Sequence, residues 1–357
     1  MKTKLAFNII GSLLLISSIH AQDLHFSQFK ENPSILNPAL TGAFDNFRAS
    51  IGYRSQWNSF TNGFVGYGAS FETRFKSNNW EKVDAFRGMT FKEKTTNRLA
   101  MGASVYSDKS GDGQYGITVG NLSLASSVPL NKFSKLSVGV QGSFVQKSIN
   151  TNKLIFPNQF DGLNYNTNNL SNENFANTQV IYGELATGML YTYNDNKKEQ
   201  SKSGNLGISA YHLNKPSANF LNSGVEKVKP RYSLHGEFNL PIAGSNLSIN
   251  PSFLAQMQGK LFEVAIGSHV KYYYGQNSKY TGIKQKSFVE FGTHYRLNDA
   301  LIFSVGLNKD NFGIGFSYDV NFSKLTTASN FRGAAEVQLK YTLKKSFLYQ
   351  KKAMLQK

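Results

Sequence analysis

The side chains that most often perform catalysis or bind metals are sparse in this sequence and are not spaced for either task. The chain of 357 residues contains no cysteine, which excludes disulfides, thiol nucleophiles and cysteine-ligated metals. None of its six histidines stands in the His-x-x-x-His pattern that binds zinc from one face of a helix. These histidines are His20, His25, His212, His235, His269 and His294. We therefore expect no metal site and no cofactor.

The motifs of nucleophilic and phosphate chemistry are also missing. The sequence has no Gly-x-Ser-x-Gly turn, which would expose a catalytic serine, and no Walker phosphate loop. The glycines of Gly313-Ile314-Gly315 alternate as strand residues do. A serine, a histidine and an acidic residue can still meet on a folded surface, so a lipase-like enzyme is an alternative. Our prediction is that the chain is not an enzyme.

The amino terminus has the layout of an export signal. Residues 1–21 begin with Lys2 and Lys4, continue with an apolar stretch and end in small residues before Gln22. The apolar stretch is shorter than the roughly 20 residues that cross a bilayer as a helix. We predict a signal peptide that is cleaved after Ala21. Export argues against nucleic acid as the partner that explains the formal charge of +17.

The basic carboxyl-terminal tail, 344–357, is a second segment with a possible partner. Its lysines are Lys344, Lys345, Lys351, Lys352 and Lys357. Such a tail is compatible with a solvated extension and with a docking arm for an acidic partner.

Strict alternation of apolar and polar residues dominates the rest of the chain. In 46–54 the apolar residues are Phe47, Ala49, Ile51 and Tyr53, and no segment after Gln22 has 18 consecutive apolar residues. The same period predicts strands at 46–54, 63–74, 97–106, 114–124, 135–146, 183–193, 205–213, 231–240, 247–257, 260–272, 287–296, 300–307, 312–320 and 333–341. Segments of about ten residues suit a membrane-crossing strand. We predict an all-β fold, a closed antiparallel transmembrane β-barrel over 46–343, with about 14 strands and with 12 to 16 compatible.

The ionisable residues of these segments share one face, which identifies the lumen because a lipid-facing charge costs about 2–4 kcal/mol. They are Arg48, Glu72, Glu184, Arg231, His235, Glu237, Glu263, His269, Lys271, Glu290, His294, Arg296, Glu336 and Lys340. The three histidines on this face are interpreted as hydrogen-bonded lumen residues, turned away from any lipid substrate. The opposite face carries Tyr53, Tyr191, Tyr193, Tyr232, Tyr272, Tyr295 and Tyr341, as in aromatic girdles. A soluble β-sandwich has the same alternation and is the alternative fold.

The connections are of unequal length. The longest, 150–181, is rich in asparagine and shares a side with 107–113, 214–230 and 321–332, which is therefore expected to be the cell exterior. The connections 76–96 and 275–286 would then be unusually long periplasmic ones. One miscounted strand would also explain them.

The segment 22–45, between the signal and the first strand, is too apolar for a free tail. It contains two Asn-Pro steps, Asn32-Pro33 and Asn37-Pro38, which disfavour helix. We therefore expect an extended segment or plug, packed at the barrel mouth or inside the lumen.

This segment and the strand after it resemble the opening of the PorP/SprF family of type IX secretion system outer-membrane proteins. The residues that carry the resemblance, with no role assigned to them, are Phe26, Gln28, Phe29, Asn37, Pro38, Ala39, Gly42, Arg54, Gln56 and Trp57. Later blocks at 156–160, 209–216, 250–252, 313–319 and 333–341 are also similar to that family.

The resemblance implies a non-enzymatic outer-membrane component of type IX secretion, in some members linked to gliding motility. It implies help in the export or surface attachment of a secreted partner, such as an adhesin with a type IX C-terminal domain. Other partners would be outer-membrane lipid and further subunits of the secretion machinery, but no nucleic acid. The alternative function is an outer-membrane channel or transporter for small or hydrophobic solutes.

Overall fold

The computed structural model describes residues 26–57, 63–75, 82–83, 90–91, 98–111, 113–151, 154–166, 169–172, 178–195, 201–218, 220, 227–274, 287–323, 326 and 331–343. The predicted signal peptide 1–21, residues 22–25 and the basic tail 344–357 lie outside these ranges. Most of the connections 76–96 and 275–286 lie outside them as well. None of the helical segments within the ranges has the length and apolarity needed to cross a membrane.

Fourteen antiparallel strands in the described residues close into a barrel. They are β1 (Phe47–Gln56), β2 (Phe64–Arg74), β5 (Arg98–Ser110), β6 (Tyr115–Pro129), β7 (Ser134–Ser148), β8 (Gln179–Asn194), β9 (Ser203–Tyr211), β10 (Arg231–Pro241), β11 (Leu247–Gln258), β12 (Leu261–Tyr273), β13 (Phe288–Arg296), β14 (Ala300–Lys309), β15 (Phe312–Asn321) and β16 (Arg332–Leu343). Each pairs with its neighbours in sequence, and β1 pairs with β16 from Phe47 opposite Leu343 to Gln56 opposite Ala334. Closure leaves no free sheet edge and excludes the β-sandwich.

All fourteen predicted strand segments are confirmed. The alternation was a reliable signal because each strand separates lipid from lumen along its length. A short antiparallel pairing, which was not predicted, joins β3 (Lys82–Val83) to β4 (Thr90–Phe91) in the part of the chain between β2 and β5.

The two faces of the wall differ as predicted. Outward side chains are large and apolar, such as Ile51 at 63% exposure and Leu122 at 69%. None of the fourteen ionisable residues assigned to the lumen is exposed, and Glu336 has 0% exposure. The predicted tyrosines lie on the outward face, where Tyr232 and Tyr272 are each 50% exposed. This distribution is that of a transmembrane barrel.

Strand direction sorts the connections between two ends of the barrel. We call the end where β1 begins and β16 finishes the terminal end, and the opposite one the loop end. The long connection between β7 and β8 lies at the loop end, together with those that follow β5, β9 and β15. The connections between β2 and β5 and between β12 and β13 lie at the terminal end. Because the strand count is even and complete, a miscounted strand does not explain their length.

The core sits inside the lumen. Leu36, Ala39 and Leu40, from the segment before β1, form a buried cluster with wall residues of β8, β11 and β12. The wall residues are Leu190, Leu254 and Ala265. Residues 26–43 therefore form a plug, and we use this name for them below.

Candidate functional site

The plug is a chain of short helical turns, so the expectation of an extended segment was wrong. Phe29–Glu31 and Pro38–Leu40 form 3-10 turns, and Pro33–Leu36 forms one α-helical turn. Each Asn-Pro step keeps its asparagine out of the helical region, at φ −121° for Asn32 and φ −164° for Asn37. The proline then occupies the first position of the next turn, where its missing N–H costs nothing. The Asn-Pro steps thus divide the plug into turns.

Asn37 anchors the middle of the plug to the wall. Its side chain is fully buried, and its Nδ2 lies 3.1 Å from the carbonyl oxygens of Met189 and Ile208 on β8 and β9. The same nitrogen lies 3.1 Å from Nε2 of His235. Its Oδ1 accepts a hydrogen bond from the Ala39 N–H at 2.9 Å, which also caps the next turn. One amide thus fixes the plug to three neighbouring strands.

Two wall glycines make room for this amide. A β-carbon at Gly188 or at Gly207 would collide with the Asn37 side chain. On β7 a β-carbon at Gly139 would collide with the backbone of Pro38 and Ala39. Sequence reasoning missed these three residues as parts of the site. The only sequence signal for these glycines was that the alternation places them on the lumen-facing side of their strands.

The start of the plug enters a charge cluster towards the loop end, which is buried except for Asp299 and which we call the Arg54 cluster. It consists of Arg54, Arg296, Asp299, Asp319 and Glu336, with Arg54 in contact with Glu336 and 3.5 Å from Asp319. Ser27 donates its N–H to Glu336 at 2.6 Å and its hydroxyl to Asp319 at 2.7 Å. Gln28 also donates its N–H to Glu336, at 3.1 Å. Neutral plug groups therefore complete the cluster, whose charges are all on the wall.

The next plug residues pair with charged wall residues towards the terminal end. The Glu31 carboxylate accepts from Lys340 at 2.8 Å and from Arg48 at 2.9 Å. Lys30 lies 3.4 Å from Glu237 of β10. Burial alone would raise the pKa of the Glu31 carboxyl, but Lys340 and Arg48 outweigh burial and hold that pKa well below its ordinary value. The pairing with Lys340 and Arg48 therefore favours the ionised form of Glu31.

The plug leaves the lumen through a tight bend at Gly42. This residue has φ +60°, a conformation that favours glycine. Its N–H donates to Glu72 at 2.6 Å, and its carbonyl accepts two hydrogen bonds from Arg74, one of them at 2.6 Å. Just before the bend, the Thr41 hydroxyl lies 2.9 Å from that of Ser123 on β6. Plug and wall are thus joined around most of the circumference.

The lumen histidines are hydrogen-bonded wall residues, as predicted. His294 Nε2 lies 2.7 Å from the Ser252 hydroxyl, and His269 Nε2 lies 3.2 Å from the Ser304 hydroxyl. No three His, Asp or Glu side chains in the described part of the chain converge as metal ligands.

Of the ten residues that carried the resemblance, eight take part in the contact between plug and wall, and Gln56 and Trp57 lie outside it. Phe26 is buried over Gly68, and Gln28 donates to the Ser317 hydroxyl at 3.2 Å. Phe29 meets the His294 ring edge-on, with ring centroids 5.8 Å apart. Asn37, Pro38, Ala39, Gly42 and Arg54 make the contacts described above. At the loop end of β1, Gln56 accepts from Arg54 at 2.9 Å, and Trp57 packs its ring against that of Phe64.

Comparison with known proteins identifies the family. The family model described as type IX secretion system membrane protein PorP/SprF matches residues 18–341. No curated protein matches the chain.

Several solved barrels are similar over most of their length. The toluene transporter TbuX of Ralstonia pickettii has a TM-score of 0.46 at 9% identity, with 88% of this chain and 94% of that chain covered. The toluene transporter TodX of P. putida has a TM-score of 0.45 at 11% identity, with 88% and 95% covered. The β domain of the Bordetella autotransporter BrkA has a TM-score of 0.36 at 7% identity, with 84% and 100% covered. The family match, in contrast, spans nearly the whole chain, and the protein therefore belongs to the PorP/SprF family of type IX secretion system membrane proteins.

Proposed function

We propose that the chain is a non-enzymatic component of type IX secretion that assists export of a secreted partner or holds it at the cell surface. Membership of the family implies interaction with the secretion machinery and with the membrane, and the barrel fold supports the outer membrane as its location. An adhesin with a type IX C-terminal domain is the partner we propose, and the loop end is the surface we assign to it.

The seated plug is the observation that carries this proposal. Its described contacts reach wall strands on every side of the lumen, and its buried apolar residues include Phe26, Ile35, Leu36 and Leu40. Withdrawing those four side chains would cost roughly 6–12 kcal/mol in apolar burial alone. A lumen closed in this way favours a function at the ends of the barrel, such as binding a partner, over diffusion of solutes through the barrel.

The long connection at the loop end offers a preformed apolar surface. Phe160 and Tyr165 pair across a small hairpin, and the buried Gln159 accepts from the Phe156 N–H at 3.0 Å. Backbone N–H groups of the turn donate to Asp161 and lower the pKa of its carboxyl. In spite of this internal order, Leu163 is 88% exposed and Leu170 is 83% exposed. Large apolar side chains on an ordered loop are typical of a binding surface.

The experiment replaces Leu163 and Leu170 by aspartate in the full chain. Surface and released proteins are then compared by mass spectrometry of shaved cells and of the medium. We expect a secreted protein with a type IX C-terminal domain to move from the surface to the medium. The matched control is Asn164→Asp with Asn172→Asp, which adds the same charge to the same connection. If the secreted protein stays at the cell surface in the variant with both leucines replaced, the loop end is not its binding surface.

Conductance in a planar bilayer separates this proposal from the channel or transporter alternative. We expect the purified barrel to be silent, because the plug crosses the lumen. A steady open conductance of the full chain would favour solute transport.

A further inference from the structure

A cavity of about 130 Å³ lies on the terminal-end side of the plug. We call it the terminal-end cavity. The plug residues Phe29, Pro33, Leu36 and Leu40 give it an apolar floor. The surrounding space of about 700 Å³ includes open solvent, so a bound ligand can extend from the cavity through its mouth. The mouth carries Phe44, whose side chain is 50% exposed.

Charged side chains of both signs line this cavity. The cations are Lys30, Arg48, Lys271 and Lys340, and the carboxylates are Glu31, Glu72, Glu237 and Glu290. Several are deeply buried, since Arg48 is 9% exposed and Glu72 8%. Enclosed charges of this kind are oriented by the fold before any ligand arrives.

Two of the ion pairs in this ring are too long for hydrogen bonds. Lys271 Nζ lies 3.7 Å from Glu290, and Arg48 Nε lies 3.8 Å from Glu72. These head groups attract one another, but they retain capacity for further hydrogen bonds. The Arg48 Nε is buried and has no hydrogen-bond partner within the described residues. A buried donor of this type gains most from a ligand that satisfies it.

We propose that the terminal-end cavity binds a small zwitterion with an apolar side chain, such as a free dipeptide. Glu237 and Glu290 receive the ammonium group, Lys271 receives the carboxylate, and the side chain lies on the apolar floor. Because the cavity is lined by equal numbers of cations and carboxylates, a ligand with a net charge would be repelled by as many of these groups as attract it. A zwitterion can place each of its charges against the opposite one.

The plug makes this cavity a binding site and not a passage. Its floor is the plug itself, which is joined to the wall through Asn37, Ser27 and Glu31. The ligand therefore enters and leaves at the terminal end, opposite the surface assigned to the secreted partner. This site is independent of the adhesin role, and either can fail without the other.

The test uses leucyl-leucine as the probe and the full-length barrel in nanodiscs, with binding measured by isothermal titration calorimetry. We expect saturable binding of the dipeptide. N-acetyl-leucyl-leucine, which has lost the ammonium group, and leucyl-leucine amide, which has lost the carboxylate, should bind at least about tenfold more weakly. Absence of saturable binding by the unmodified dipeptide, or equal binding of the capped forms, would overturn the proposal.

Two variants test whether the dipeptide binds in this cavity. Lys271→Met removes one charge, and Asn205→Phe narrows the cavity. Each should weaken dipeptide binding about tenfold or more. The matched control is Glu263→Gln on the same strand as Lys271, because Glu263 faces the lumen outside the cavity and its loss should leave binding unchanged. Heat-modifiable mobility in gels shows whether each variant is folded. If the folded Lys271→Met and Asn205→Phe variants bind the dipeptide as tightly as the natural chain, the assignment to this cavity is refuted.

Discussion

Asn37 fills the space that a side chain at Gly188 would need, and this single fit fixes the depth at which the plug sits in the barrel. The amide reaches the carbonyls of two neighbouring strands only because β8 and β9 both have glycine at this level.

Replacing Gly188 by valine should therefore unseat the middle of the plug. The added side chain overpacks a buried site, so we expect a loss of about 1–3 kcal/mol in the free energy of unfolding, measured by urea titration of the heat-modifiable band. The matched control is Gly142→Val on β7, where a β-carbon meets nothing within 4 Å. Equal stability of the two variants would show that Asn37 is not held as described.

Replacing Arg54 by methionine should leave the buried Glu336 without its cation, at a cost of about 3–5 kcal/mol. The double variant Arg54→Met with Glu336→Gln should recover part of that loss, since no buried carboxylate then lacks a partner. The measurement is a double-mutant cycle on the urea midpoint. Additive losses would mean that the two side chains do not interact.

The stability contributed by Glu31 should depend on pH. The pKa of its carboxyl is depressed in the folded protein, so its contribution is fully present above the ordinary value of 4.5 and is lost as the pH falls from there towards the folded pKa. We expect Glu31→Gln to be less stable than the natural chain by about 3 kcal/mol at neutral pH. The difference between the two proteins should shrink in acid. A difference that is constant with pH would contradict the ion pairs with Lys340 and Arg48.

A disulfide can test whether the plug must move. The chain has no cysteine, and the hydroxyls of Thr41 and Ser123 are 2.9 Å apart, so a cysteine at each position should cross-link plug to wall on oxidation. We expect export to be the same in oxidised and reduced cells, because leaving the lumen is too costly. Ser50 and Ser70, whose hydroxyls are 2.6 Å apart within the wall, provide the control pair. Loss of export in the plug-locked form alone would show that the plug moves during function.

The wall could be predicted from sequence because one physical rule acts on every strand. A residue such as Ile51 or Glu336 is assigned to lipid or lumen by its parity alone, and the membrane penalises each error. The conformation of the plug followed no such rule. The Asn-Pro steps restrict Asn32 and Asn37 locally, but whether the chain between them extends or turns depends on the wall around it.

The partners within the site could not be predicted for a related reason. Ser27 and Glu336 are 309 positions apart, and only closure of the barrel brings them together. Alternation placed Glu336 in the lumen without indicating its level or its neighbour. The alternation also did not reveal the role of glycines such as Gly188, because that role is to leave space for Asn37.

The pairing of the first and last strands also couples the order of assembly to the seating of the plug. The plug precedes β1, whereas two of its charged partners, Glu336 and Lys340, lie on β16 at the other end of the sequence. Until β16 is in place, the lumen is an open trough, and Ser27 and Glu31 lack the binding groups that β16 contributes. Strand β16 closes the wall and also completes the binding site for the plug. Assembly therefore does not require a closed barrel with an empty lumen as an intermediate.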